Sequence, residues 1–153
     1  TVMYNGKREA IPKELPKGQY DHIVLDIDSP LKNTVQTIVG NNPDLILVPV
    51  NKSQKIKALR NLPRTLKVIA QLETKAGYAP QVVIVPLGIS QSSIYDIVDR
   101  LEYDSKPQRY RVADEMYDCQ EKMQSAIYQD RKYIWDYEGL EYLYDYFVDL
   151  VDG

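Results

Sequence analysis

Three unbroken apolar runs punctuate the chain: Ile23-Val24-Leu25, Leu45-Ile46-Leu47-Val48-Pro49-Val50 and Val82-Val83-Ile84-Val85-Pro86-Leu87. None alternates with polar residues, which is the pattern of parallel strands covered on both faces rather than of half-exposed antiparallel ones. Strands are therefore predicted near 22–27, 44–50 and 82–87, with a weak fourth from Arg109 to Val112. Helices are predicted between and after them, at about 31–40, 52–74, 91–104, 115–130 and 138–151. Pro63 falls inside the longest of these and is expected to divide or kink it, because proline donates no backbone hydrogen bond. The last helix presents Leu140, Leu143, Tyr144, Phe147, Leu150 and Val151 on one broad packing face. Residues 1–19, with Gly6, Pro12, Pro16 and Gly18, read as an irregular lead-in to a single α/β domain over 20–153. Strand-helix alternation implies βαβ units, whose ligands lie outside the carboxyl ends of the strands. Asp26, Asn51 and Gly88 are expected to gather there.

Charge changes this picture more than composition does. The net charge is −3, yet residues 1–80 carry twelve Lys/Arg against seven Asp/Glu, and residues 81–153 carry seven against fifteen. So uneven a chain can be biased in its partners or its self-association. Ten of the thirteen tyrosines lie from Tyr95 onward. Two readings stay open for them: a half-wet interface, which suits an apolar ring with a polar tip, or simple core filling, since Phe147 is the one phenylalanine. A single cysteine, Cys119, excludes a disulfide framework, and with His22 as the one histidine a zinc site or His-based nucleophilic catalysis is disfavoured. No signal peptide or membrane-spanning run is visible, so a cytoplasmic protein without a membrane partner is expected.

The densest chemical signal is Tyr20-Asp21-His22-Ile23-Val24-Leu25-Asp26-Ile27-Asp28-Ser29-Pro30. A carboxylate where a buried strand emerges is a natural magnesium-holding group in phosphate chemistry. Asp26 is the candidate catalytic residue, and Asp26 with Asp28 the candidate metal pair. Asp28 or Ser29 before Pro30 also reads as a helix N-cap, and the two readings are compatible. Asn42-Pro43-Asp44 then leads into the second apolar run, and Asn51-Lys52-Ser53 into a long helix. Tyr-Asp-strand-Asp, a helix, Pro-Asp-strand-Pro-Val and a second helix together resemble the ParA/MinD family of deviant-Walker ATPases, over residues 20–72 above all. The resemblance implies a three-layer α/β fold on a mainly parallel sheet, P-loop-NTPase-like. It places Asp26 at the Walker B aspartate, beside ATP and Mg2+. It also implies a homodimer, a partition partner protein, and ATP-dependent segregation of plasmid or chromosomal DNA.

The first strand and phosphate loop of that fold are missing from this sequence. A Gly-x-x-x-x-Gly-Lys-Ser/Thr loop cradles phosphate on successive backbone N–H groups while its lysine neutralises charge. Asn5-Gly6-Lys7-Arg8 lacks the first glycine and the hydroxyl residue, and Gly88-Ile89-Ser90 has no lysine. The chain opens at Thr1-Val2, and is expected to be the later part of a longer ATPase, inactive by itself. Pro86-Leu87-Gly88 also stands where the family places an adenine-reading asparagine. Asp26-Ile27-Asp28-Ser29-Pro30-Leu31 resembles, as an alternative, the Asp-x-Asp-x-Thr-Leu opening of haloacid-dehalogenase phosphatases, magnesium-dependent enzymes. There Asp26 would attack phosphorus, Asp28 would be acid/base, Ser53 would bind phosphate, and Asp114, Glu115 and Asp118 would form a late magnesium cluster. A non-catalytic interaction module of the same fold is the third reading.

Lys57, Arg60, Arg64 and Lys67 follow each other at spacings of three, four and three in the long helix. If that helix runs unbroken through Pro63, the four share one face. Such a stripe can hold DNA phosphates without reading bases, or can be an ordinary solvated surface.

Overall fold

The computed structural model describes residues 18, 21–27, 35, 38 and 40–152. Three strands, β1 (Leu45–Asn51), β2 (Gln81–Leu87) and β3 (Tyr110–Val112), form a parallel sheet in the order β1-β2-β3. Around it lie α1 (Lys55–Ala76), α2 (Gln91–Val98), α3 (Gln120–Tyr128), the single turn α4 (Tyr133–Asp136) and α5 (Glu141–Asp152). The unbroken apolar runs have the expected cause. Val82, Ile84, Val50 and Val112 pack on one face against Leu62, Leu66 and Ile69 of α1 and Ile94 and Val98 of α2. On the other face Val83, Val85 and Ala113 meet Leu150, Tyr146 and Phe147 of α5. Helices thus cover both faces, as a parallel sheet requires. This is an α/β arrangement on a small sheet.

The helix α1 runs through Pro63 as one element, which corrects the expectation of a division there. Proline inside a helix costs about 3 kcal/mol, whereas burying Leu62, Leu66 and Ile69 contributes about 1.5–3 kcal/mol each, on both sides of the break. Packing outweighs the lost bond. Gly77, in the left-handed region at φ 72°, ends the helix by donating its N–H to the Glu73 carbonyl at 3.0 Å.

The ladder sets the roles of two prolines. Gln81 donates its N–H to the Asp44 carbonyl, so alternate residues Leu45, Leu47, Pro49 and Asn51 turn their backbone groups away from β2, toward the outer edge of β1. Pro49 sits on that edge, where no N–H is demanded by β2. Pro86 lies in the central strand and does leave a gap. Val82 donates to Arg109, and Ala113 donates to Ile84, so the next donor in the series should be residue 86, aimed at the Ala113 carbonyl. Proline has none. The Gln91 side-chain amide fills the vacancy, donating from Nε2 to Ala113 at 3.1 Å and to Val112 at 3.2 Å.

Three predicted elements differ from the structure; the helix predicted at 91–104 stops at Val98 and is followed only by the 3-10 turn Tyr103–Ser105. Residues 21–27 form no strand: they carry no regular structure, and Val24 is 84% exposed. Three apolar residues between His22 and Asp26 offer less to bury than the seven-residue β1 and β2, and Pro49 removes a donor from the edge such a strand would join. Instead, His22 Nε2 lies 3.4 Å from Asp152 Oδ1 at the end of α5. The helix predicted from 115 begins only at Gln120, because Met116 continues beside β2. Its N–H donates to Pro86 at 3.0 Å and its carbonyl accepts from Gly88. Of the helix predicted at 31–40, the described residues Val35, Ile38 and Gly40 are helical. The lead-in expected over 1–19 lies outside the described residues, apart from Gly18.

Candidate functional site

With every strand parallel, their carboxyl ends share one rim, and the chain reverses there in three places. Asn51 ends β1 opposite Leu87 and leads into the 3-10 turn Lys52–Gln54. Gly88 follows β2 in the left-handed region, φ 73°. A Cβ added at Gly88 would stand 2.9 Å from Asp118 Cβ and 3.0 Å from Lys52 Cβ, so both neighbouring turns close over this glycine. Ser53 donates its hydroxyl hydrogen to Gln120 Oε1 at 2.5 Å, and the Gln120 N–H donates to Asp118 Oδ1 at 3.0 Å. Tyr146 of α5 anchors the third turn by donating its hydroxyl to the Asp114 carbonyl at 2.6 Å. Burial, with the Asp114 carboxylate nearby, pushes that phenol's pKa up.

The rim therefore brings together Asn51 and Gly88, as the sequence suggested, along with Lys52, Ser53, Asp118 and Gln120. Asp26 does not stand at the end of a strand; it is an exposed residue of the irregular segment 21–27. Asp28 lies outside the described residues. Asp114, Glu115 and Asp118 do not converge: no group of three or more His, Cys, Asp or Glu able to hold a metal occurs among the described residues. Gln120 was not foreseen as a rim residue, because 115–119 looked helical and the bridge that places it is made by Met116 and Leu87, neither of them polar. Ser90 caps α2 by accepting from the Ser93 N–H, so that hydroxyl serves the helix.

The second candidate surface is the outward face of α1. Continuity through Pro63 puts Lys57, Arg60, Arg64 and Lys67 on one side of a single helix, all exposed. Among the described residues none of the four has an ion-pair partner. The helix carries six lysines and arginines and one carboxylate, Glu73, which is only 4% exposed and faces inward. Glu73 Oε2 accepts the Gln108 N–H at 2.9 Å, while Oε1 has no partner, and burial raises this carboxyl's pKa. The first turn of α1 has no acidic residue but does contain Lys55 and Lys57. Cations at a helix N-terminus oppose the macrodipole by about 0.3–1 kcal/mol each, so this placement is poor for stability and good for holding an anion.

Of the ten late tyrosines, Tyr110 and Tyr146 pack against the core, and both are half-buried. None of the ten tyrosines from Tyr95 onward is fully buried, and Tyr103 and Tyr128 are more than nine-tenths exposed. Tyr117 and Tyr142 share a hydroxyl hydrogen bond of 2.7 Å, which pushes the Tyr117 pKa well up. Among the described residues no helix is long and apolar enough to cross a membrane. Comparison with protein families, curated proteins and solved structures gives no match to this chain.

Proposed function

We propose that this chain is a ParA/MinD-type partition domain whose own contribution is to hold duplex DNA, without reading its sequence, on the outer face of α1. The observation that carries the reading is the set of four exposed, unpaired cations on one unbroken helix. At 1.5 Å per residue they extend over about 15 Å, enough to follow a run of phosphates. The N-terminal turn of α1, rich in lysine and free of acid, adds the helix dipole to the same attraction. The parallel sheet with helices on both faces is the layer order such a domain needs.

Nucleotide chemistry is not assigned to these residues. Gly88 is closed in by Lys52 and Asp118, the rim has no glycine-rich loop with a lysine, and no acidic group of three converges. The described residues therefore offer no site that fits ATP and Mg2+. Of the phosphatase alternative's residues, Asp26 stands on no strand and Asp114, Glu115 and Asp118 do not converge, while Asp28 lies outside the described residues.

The test is a salt titration of binding to a duplex of random sequence, followed by fluorescence anisotropy. Four phosphate contacts give a slope of log affinity against log salt of about −3.6, a loss of about 100-fold between roughly 50 and 200 mM. Replacing Lys57, Arg60, Arg64 and Lys67 by Gln should remove most of that slope at unchanged helicity. An identical slope in the fourfold variant would refute the proposal.

A further inference from the structure

The acidic half of the chain contains a surface that the DNA reading does not use. Between α4 and α5 lies a cleft of about 300 Å³ lined by Ile134, Trp135, Tyr137, Glu141, Tyr144 and Asp145. That is the small end of ligand sites (~300–1,000 Å³), room for one long side chain and not for a polymer. Its walls are three aromatic rings and two carboxylates. Trp135 is 70% exposed and stacks edge-on against Tyr144, with ring centres 5.4 Å apart. Such a combination suits a cation that is flat on one side and forked at the end, a guanidinium above all, because the rings attract it through their faces and the carboxylates accept its N–H groups. The chain shows the preference locally: Arg131 lies 4.6 Å over the Tyr137 ring, with Nη2 donating to the Asp136 carbonyl, but Arg131 does not line the cleft.

Residues 113–152 carry eleven carboxylates against three cations, so DNA is repelled from this region. The complementary surface belongs to the same chain. Arg60 and Arg64 stand one helical turn apart on α1, exposed and without acidic partners among the described residues. They cannot reach the cleft within one molecule, since α1 and α5 pack on opposite faces of the sheet. We propose that the cleft receives Arg60 or Arg64 from a second copy of this chain. The contact joins two different surfaces, so it is head-to-tail and does not close on itself as a twofold dimer would. It also occupies the face of α1 that DNA would use, so assembly and DNA binding exclude each other. The contact itself does not depend on the DNA reading.

Sedimentation velocity on two complementary variants tests it. Wild-type chain should gain mass with concentration at about 50 mM salt and lose that association near 300 mM, where the Debye length falls below ~6 Å. Trp135→Ala/Glu141→Gln/Asp145→Asn destroys the cleft and keeps the stripe; Arg60→Gln/Arg64→Gln does the reverse. All five side chains are exposed, so each variant should keep the wild-type melting temperature. Each should be monomeric alone, and the two mixed should form a one-to-one heterodimer that grows no further. A wild type that stays monomeric at low salt, either variant assembling like wild type, or a mixture that fails to pair would overturn the proposal. Loss of DNA binding is a separate readout, so heterodimers without DNA binding would sink only the partition reading.

Discussion

The replacement of a missing strand donor by Gln91 makes the sharpest prediction about how this fold holds together. Gln91→Ala removes both hydrogen bonds from Nε2 and leaves the Ala113 carbonyl, in a residue 3% exposed, with nothing to accept from. Stranding a buried acceptor costs about 1–3 kcal/mol, and the second bond, to Val112, adds up to about 1 kcal/mol. The expected loss is therefore about 1–4 kcal/mol, read from urea unfolding followed by circular dichroism. Size alone does not prove the reason, because any truncation next to a packed strand can cost this much. The proof lies in Pro86→Ala, which restores an N–H at the position the ladder aims at Ala113. In that background Gln91→Ala should cost at least about 1 kcal/mol less, since the carbonyl then has a backbone donor. The packing lost with the Pro86 ring enters both arms of the cycle and cancels. Equal costs of Gln91→Ala with and without Pro86 would show that the side chain is not serving the proline's vacancy.

Two further outcomes follow from the rim and from α1. Gly88→Ala should destabilise the chain by about 1–3 kcal/mol in thermal melts, from the left-handed backbone and from the 2.9 Å approach to Asp118 Cβ; an unchanged melting temperature would mean that the turns do not close over it. Glu73 has a folded-state pKa raised above its usual 4.5 by burial, so the folded state binds the proton more tightly and loses stability as pH rises from about that value. Glu73→Gln should therefore be more stable than wild type at pH 7, by on the order of 1 kcal/mol, with the gain vanishing below pH 4.5. A difference that does not vary with pH would contradict the assignment.

Much of the core was legible from residue order because its signal is redundant. Six-residue apolar runs at 45–50 and 82–87 can hardly be anything but covered strands, and the periodicity of α1 survives its proline because three large side chains hold it down. The three-residue β3 was legible as well, through Arg109 to Val112. What escaped was whatever depended on a neighbour. Ile23 to Leu25 has the composition of a strand but no described partner, so composition misled. The late tyrosines resemble core residues by type, yet none is fully buried, because the inward positions of α5 go to Leu143 and Leu150, with Tyr146 and Phe147 half-buried beside the sheet. At the rim, Asp118 and Gln120 were hidden behind a helical pattern that the bridge at Met116 overrides.

Pro49 has one more effect, on encounters between molecules. Among the described residues no strand pairs with the outer margin of β1, whose run Leu-Ile-Leu-Val-Pro-Val is of the apolar kind that seeds cross-chain zippering into fibrils. An imino acid in its middle means that a strand arriving there finds no hydrogen to accept halfway along, and growth of a continuous ladder stalls at that step. The same ring that fits harmlessly into the fold thus guards the molecule against its own copies when they are crowded.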